Sequence, residues 1–225
     1  LLLPTVSLLY YGPQLFAPEQ EETVNKMMSR ETILGQKYTM RLPDGTVVKL
    51  NSGSTIHYPE QFSDEMRVVE FHGEAFFEVA KDDSKPFVIK SGNISTTVLG
   101  TSFNLKSMPD TEKFEVAVVT GSVKVSHFRD AHSNDERYLS PNQSAVFDGE
   151  HDTFNVQAFD PQIVLAWTNG TIIFENSTFE EIIFRLESWY GVEIDTASLK
   201  RNITKGYTGS YKDKSLETVL DGISF

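Results

Sequence analysis

Short runs of β-forming residues, separated at regular intervals by turn residues, fill the chain from Gln36 to Ala158. The runs are rich in Val, Ile, Thr and Phe, and a turn recurs roughly every 8 to 12 residues. No helical periodicity lies between them, which excludes a parallel α/β sheet. The pattern therefore predicts a mainly β protein whose large domain is all-β. A sandwich, a jelly-roll and a short solenoid-like fold all remain open.

The segment from Glu70 to Gly92 shows this pattern most clearly. Its first half alternates so that Phe76, or its neighbour Phe77, would be buried together with Val79 on one face of a strand. Gly73 stands where the strand begins, and a tight turn there would favour glycine. A polar loop that ends in proline then leads to a second strand. Nothing in this segment has the pattern of a catalytic site, so it predicts a β scaffold.

The pattern changes after Asp160, where a small α+β domain is predicted. A strand from Gly170 to Glu175 precedes a helix that has Thr178 at its N-cap, Glu181 as the capping-box partner and Gly191 at its end. The further predicted elements are a strand at Val192–Asp195, a strand at Tyr207–Tyr211 and a second helix that begins at Leu216. The first strand, the helix and the second strand would form a βαβ-type unit, whose domain lacks a final strand.

The N-terminal residues predict a different kind of segment. Leu1–Tyr11 is apolar but shorter than the roughly 20 residues that a membrane helix needs. It is interpreted as a buried strand or as the outer end of a membrane helix that begins earlier. Glu19–Arg30 is polar and is interpreted as a linker. The predicted organisation is a membrane-proximal segment and linker at 1–35, the all-β domain at 36–159 and the α+β domain at 160–225.

Composition and motifs argue against most kinds of active site. The chain has no cysteine, which excludes thiolate catalysis, and its net charge of −12 disfavours nucleic acid as a partner. The histidines stand at His57, His72, His127, His132 and His151, without the close spacing that metal sites often use. No nucleophile elbow, phosphate-binding loop or dinucleotide fingerprint is present. We therefore predict no catalytic residue, no metal and no cofactor, and a binding or signalling role instead.

Four motifs resemble the periplasmic portion of the FecR family of anti-sigma regulators. They are Leu42-Pro-Asp-Gly-Thr-Val-Val-Lys-Leu-Asn-Ser-Gly-Ser, Gly73-Glu-Ala-Phe-Phe-Glu-Val-Ala-Lys-Asp, Lys85-Pro-Phe-Val-Ile and Val98-Leu-Gly-Thr-Ser-Phe-Asn-Leu, in the family's order and spacing. Trp167-x-Asn-Gly and Leu186-Glu-x-Trp-Tyr-Gly are similar to the C-terminal module of Bacteroidetes members. One departure is Pro141-Asn-Gln, where the family usually has Pro-Gly-Glu.

The resemblance implies the periplasmic part of a single-pass inner-membrane protein. Its membrane helix and a cytoplasmic segment that binds an extracytoplasmic-function sigma factor would precede this fragment. The periplasmic part would sense the N-terminal signalling domain of a TonB-dependent outer-membrane transporter, which imports an iron complex or a glycan. An alternative function is a carbohydrate-binding β domain with an accessory interaction module. A jelly-roll enzyme that uses the scattered histidines is a third possibility.

The partner site is predicted in the C-terminal domain, because that domain resembles the transporter's own signalling domain in topology. The partner would add a strand at an exposed edge. The candidate partner-binding residues are Gly170, Ile172, Phe174, Tyr207 and Tyr211. The polar linker Glu19–Arg30 is the segment in which a signal-dependent proteolytic cleavage is expected.

Overall fold

The computed structural model describes residues 26–108, 113–130, 133–196 and 206–223. Within these ranges, thirteen strands precede the C-terminal part, and this confirms the mainly β prediction. They are β1 (Met27–Glu31), β2 (Tyr38–Arg41), β3 (Val47–Leu50), β4 (Thr55–Pro59), β5 (Arg67–Glu78), β6 (Phe87–Ser91), β7 (Ile94–Val98), β8 (Ser102–Met108), β9 (Lys113–Thr120), β10 (Val123–Asp130), β11 (Ser133–Leu139), β12 (Gln143–Asp148) and β13 (Thr153–Ala158).

The strands form two half-sheets that share the long strand β5. The first half-sheet has the order β1-β4-β5-β6-β7-β10-β11, and the second has the order β2-β3-β5-β8-β9-β12-β13. A single buried core takes side chains from both, such as Phe71 and Ile89 from the first and Leu50 and Leu105 from the second. Of the arrangements that the sequence left open, this two-layered packing corresponds to a sandwich.

Strand β5 passes from one half-sheet to the other at Gly73. Residues before this glycine pair with β4 and β6, and residues after it pair with β3 and β8. Gly73 has a φ of 108° inside the continuous strand. The predicted tight turn at Gly73 is therefore wrong, because the glycine serves a bend and a close backbone approach. The predicted alternation is confirmed, since Phe77 is fully buried whereas Phe76 is half-buried.

The chain makes its one parallel pairing in the described residues between β5 and β6. Because β5 ends in the second half-sheet, the polar loop must carry the chain back to the start of β5 before β6 begins. Buried Arg67 holds this return: its Nε donates to Lys85 O (2.9 Å), and its Nη1 donates to Ala80 O (2.7 Å) and to Asp44 Oδ2 (2.9 Å). A fully buried arginine thus satisfies main-chain carbonyls that the return loop would leave unpaired.

The two half-sheets meet again at their far ends. The Asp135 carboxylate of β11 accepts hydrogen bonds from Thr153 Oγ1 (2.9 Å) and from the Phe154 main-chain nitrogen (3.1 Å) of β13. The Arg137 guanidinium donates to the same carboxylate. These bonds close the open side of the two-layered core.

The first strand lies partly inside the segment interpreted as a linker. Met27–Glu31 pairs antiparallel with β4 over five residues, and four of its five side chains are exposed. The linker interpretation is therefore corrected for these residues. Main-chain hydrogen bonds, rather than side-chain burial, fix this edge strand, so its polar residues show no alternating pattern. The predicted apolar run Leu1–Tyr11 lies outside the described residues.

The C-terminal part is an α+β module with its own core, as predicted. Its elements are α1 (Pro161–Val164), a 3-10 helix (Ala166–Asn169), β14 (Thr171–Ser177), α2 (Phe179–Tyr190), β15 (Tyr207–Lys212) and α3 (Leu216–Ile223). The capping box is confirmed: Thr178 Oγ1 accepts from Glu181 N (3.2 Å), and Glu181 Oε2 accepts from Thr178 N (3.0 Å). The buried core residues are Ile172, Phe174, Ile182, Leu186, Val219 and Ile223.

The predicted βαβ-type unit differs from the observed topology. Val192–Asp195 is irregular rather than a strand, and β14 pairs antiparallel with β15. The Ile194 main-chain nitrogen donates to Glu187 Oε1 (2.8 Å) while its side chain packs against the module core. The apolar side chain that suggested a strand is thus partly buried without strand pairing. No helix in the described part of the chain is both long and apolar enough to cross a membrane.

Candidate functional site

The five candidate partner-binding residues lie close together, but their side chains are mostly turned inward. Ile172 and Phe174 are buried in the module core, and the rings of Tyr207 and Tyr211 pack against Phe174 at 5.9 and 6.4 Å. Gly170 ends the 3-10 helix in the left-handed conformation. These side chains hold the module together, so a partner at this sheet would have to use main-chain groups and the outward side chains.

Each strand of the two-stranded sheet has one edge without a strand partner among the described residues. Along β15, Thr208, Ser210 and Lys212 are exposed. On β14, the main-chain oxygen of Ile173 accepts a hydrogen bond from Arg185 Nη1 (2.5 Å). The module therefore presents a short polar edge strand of the kind that a partner strand can extend.

The module is docked on the β region through the C-terminal end of α2. The Ser188 main-chain oxygen accepts hydrogen bonds from Gly35 N (3.0 Å) and from Ser52 Oγ (2.5 Å). A Cβ placed on Gly35 would lie 2.8 Å from Gly191 N, so the two backbones approach as closely as glycine allows. The Lys37 ammonium lies 3.0 Å from the centre of the Trp189 ring. We call these contacts the junction.

A second set of contacts crosses the junction through buried and half-buried polar groups. Trp167 Nε1 donates to Asn104 Oδ1 (3.1 Å), and Asn104 Nδ2 donates to Glu74 Oε1 (3.0 Å). The other oxygen, Glu74 Oε2, accepts from Asn51 Nδ2 (2.9 Å). The sequence contained these residues only as parts of separate motifs, because nothing in it reveals that positions 51, 74, 104 and 167 meet in the fold.

A cavity of about 290 Å³ lies within the junction, between the second half-sheet and the module. Glu74, Lys106 and Glu115 line one side of the cavity and stand opposite one another across β5, β8 and β9. Burial raises the pKa of Glu115, while the nearby charge of Lys106 opposes the rise. Burial has the opposite effect on a cation and lowers the pKa of Lys37 to about 8, while the charges of Glu74 and Asp213 favour a higher pKa.

The position of Lys37 predicts that the junction titrates in mildly alkaline solution. As the pH rises through about 8, Lys37 loses its charge and the cation–π contact with Trp189 is lost. We expect a change in tryptophan fluorescence with its midpoint near this pH. Lys37→Met should abolish the transition, whereas Lys49→Met, beside Phe76, should leave it unchanged. A transition of equal size in Lys37→Met would contradict this assignment.

The histidines do not assemble into a metal centre within the described residues, where no group of three or more candidate ligands occurs. His72 and His127 both line a cavity of about 390 Å³ at the end of the β region. His127 Nδ1 lies 3.3 Å from Asp152 Oδ1, and its ring packs on Phe147 at 4.6 Å. The side-chain contacts of His127 are thus with one carboxylate and one aromatic ring.

Comparisons with known proteins agree with both parts of the fold. The family model described as "FecR protein" matches residues 30–124, and the model described as "FecR, C-terminal" matches residues 171–225. A crystal structure of a candidate anti-sigma factor from Parabacteroides distasonis ATCC 8503 is 33% identical, with a TM-score of 0.75, over 88% of this chain and 90% of that chain. The chain belongs to the FecR family of anti-sigma factors.

A second crystal structure of a candidate anti-sigma factor from the same organism gives a TM-score of 0.74 at 33% identity, over 87% of this chain and 90% of that chain. The search of curated proteins found no match. The FecR match begins in β1 and ends at the start of β10, and the C-terminal match begins with β14 and includes α3. The residues of the junction therefore come from both matched regions, with Trp167 between them.

Proposed function

We propose that this FecR-family chain is the periplasmic sensor of a transmembrane anti-sigma factor. It relays the state of a TonB-dependent outer-membrane transporter to an extracytoplasmic-function sigma factor. The family membership of both parts supports the proposal, and the observation that carries it is the docking of the C-terminal module on the loop after β1. Through this contact, an event at the module reaches the strand that leads toward the N-terminus.

In this proposal the partner is the N-terminal signalling domain of the transporter. It adds a strand to the edge of the β14–β15 sheet, where its main chain pairs with main-chain groups that have no strand partner among the described residues. Thr208 and Ser210 are exposed along that edge. Gly170, Ile172, Phe174, Tyr207 and Tyr211 then act by holding the two strands in place.

The signal passes from Ser188 of α2 to Gly35 and from there to Thr32. Thr32 is buried against the turn between β3 and β4. Its Oγ1 donates to Asn51 O (2.6 Å) and accepts from Ser54 N (2.9 Å). It directly follows β1, whose exposed side chains give it little other support. A shift of α2 therefore alters how firmly β1 is held against β4.

The inner-membrane helix and the sigma-binding cytoplasmic segment belong, in this proposal, to residues on the N-terminal side of β1. The segment Glu19–Arg30, where cleavage is expected, includes most of β1 at its end. Release of β1 from β4 would expose Met27–Glu31 to a protease. Cleavage of this segment, triggered by the transporter, would then change the activity of the sigma factor. This chain would itself catalyse no step.

A binding titration with the transporter's isolated signalling domain tests the proposal. Thr208→Glu, Ser210→Glu and Glu175→Lys change exposed positions of the two strands and should each weaken binding at least about tenfold, through repulsion or a disturbed edge. Glu217→Lys, on the exposed side of α3, is the matched control. Full binding by the strand variants would exclude strand addition. An absence of binding between two folded proteins would refute the transporter as partner.

A further inference from the structure

The junction cavity has one polar wall and one apolar wall. The polar wall is formed by the second half-sheet, with Glu74, Lys106 and Glu115. The facing wall is formed by the C-terminal module and is mainly apolar, with Phe184 and with Trp189, whose ring also contacts the Lys37 ammonium. Arg185 lines it as well, and its Nη1 donates to Ile173 O (2.5 Å). Phe184 is 60% exposed and lines the cavity together with Trp189.

Two charged groups of the polar wall have no hydrogen-bond or ion-pair partner among the described residues. Both carboxylate oxygens of Glu74 accept hydrogen bonds from asparagine side chains. Lys106 and Glu115, by contrast, face the cavity without such a bond to any described residue. Burial raises the pKa of Glu115, while the charge of Lys106 on the neighbouring strand opposes the rise. A donor and an acceptor are thus both presented to whatever occupies the cavity.

The charges around the cavity favour a neutral ligand, because its lining holds two carboxylates, Glu74 and Glu115, and two cations, Lys106 and Arg185. Lys106 stands between Glu74 and Glu115 across the strands, so the wall alternates negative, positive and negative. An anion at Lys106 would lie beside two carboxylates, and a cation at Glu115 would lie beside the ammonium. A neutral molecule that carries several hydroxyl groups can donate to Glu115 and accept from Lys106 without either repulsion.

The apolar wall and the size of the cavity further restrict the chemical class of the ligand. Aromatic rings bind the apolar C–H face of a sugar ring while its hydroxyl edge remains free for polar contacts. A volume of about 290 Å³ is near the lower limit of ordinary ligand pockets. We propose that the junction cavity binds a neutral saccharide of one or two rings, held between Lys106 and Glu115 on one side and Trp189 and Phe184 on the other.

Such a ligand would contact the β region and the module at once. It would stabilise their docked arrangement in proportion to its occupancy, because it binds the docked form better than the separated form. The chain would then respond directly to a free sugar, in addition to the proposed transporter. The two proposals are independent, since sugar binding requires no partner protein.

Tryptophan fluorescence tests this proposal selectively. The chain has two tryptophans, Trp167 and Trp189, and both line the cavity. We would titrate the chain with glucose, xylose, N-acetylglucosamine and maltose, and with the zwitterion phenylalanine, up to about 50 mM. At least one neutral sugar should give a saturable change. Glu115→Gln and Lys106→Met should each weaken its binding at least about tenfold, as expected for a lost hydrogen bond to a charged group.

The matched control is the exposed ion pair of Lys49 and Glu78, which lies on the same half-sheet outside the cavity. Lys49→Met and Glu78→Gln should bind the sugar as the unmodified chain does. Thermal unfolding of all four variants verifies that they are folded. The proposal is overturned if no neutral sugar changes the fluorescence, if only phenylalanine does, or if the cavity variants bind as tightly as the controls.

Discussion

Replacing Arg67 by alanine should lower the free energy of unfolding of the β region by about 3 to 5 kcal/mol. The Arg67 side chain is 2% exposed, and its ion pair with Asp44 (2.9 Å) is almost fully removed from water. The variant would leave Asp44 without its cation and the carbonyls of Lys85 and Ala80 without their donor. Urea unfolding followed by far-ultraviolet circular dichroism measures the loss.

Two further variants separate the causes of that loss. Arg67→Met keeps most of the buried volume but none of the hydrogen bonds, so it should remain strongly destabilised. Lys81→Met removes a cation from the same return loop, where the pair with Asp83 is largely exposed, and should have no measurable effect. If Arg67→Met were as stable as the unmodified chain, packing rather than hydrogen bonding would explain the buried arginine.

The second large effect is expected at Gly73, where β5 passes between the half-sheets. A Cβ at this position would lie 2.4 Å from Ser54 Oγ and 2.6 Å from Ser54 Cα, and the φ of 108° disfavours any other residue. Gly73→Ala should therefore cost roughly 2 to 6 kcal/mol, from backbone strain and from overpacking. Ser54 also bonds to Glu74 and to Thr32, so its displacement would disturb the loop at the junction.

Gly92 supplies the control for Gly73, because it shares a positive φ, 60°, but a Cβ added to it would meet no atom within 4 Å. Gly92→Ala should cost only the backbone term, about 1 kcal/mol. The urea unfolding midpoint of Gly92→Ala reports backbone strain alone. The midpoint of Gly73→Ala reports backbone strain together with the steric clash against Ser54. Equal losses in both would show that Ser54 moves aside freely and that the close approach is not a constraint.

Local patterns predicted those parts of the fold in which side-chain burial follows the sequence. The alternation around Phe77, the capping box at Thr178 and the glycine that ends α2 each have a short-range physical cause, and all three are present. β1 escaped prediction because four of its five side chains are exposed and it is held mainly by main-chain bonds to β4. The prediction of a strand at Val192–Asp195 was wrong for the opposite reason. Ile194 is partly buried there, but the segment pairs with no strand in the described part of the chain.

The site was predictable only in part, because it depends on contacts between distant positions. The motifs located the family and the C-terminal strands. They could not show that Ile172 and Phe174 are core residues, or that Trp167 reaches Asn104 of β8. The pairing of Ser188 with Gly35 and Ser52 joins residues more than 130 positions apart. Such a contact follows from the assembled fold and leaves no periodic signal in the sequence.

Hydrogen–deuterium exchange of β1 tests the central claim, that the C-terminal module acts on the N-terminal strand through the junction. The main-chain amides of Met27–Glu31 and of Thr32 would be compared with and without a saturating amount of the transporter's signalling domain. We predict faster exchange in these residues when the domain is bound, and little change in β8 at the centre of the sheet. Saturated binding with unchanged exchange in β1 would contradict the claim.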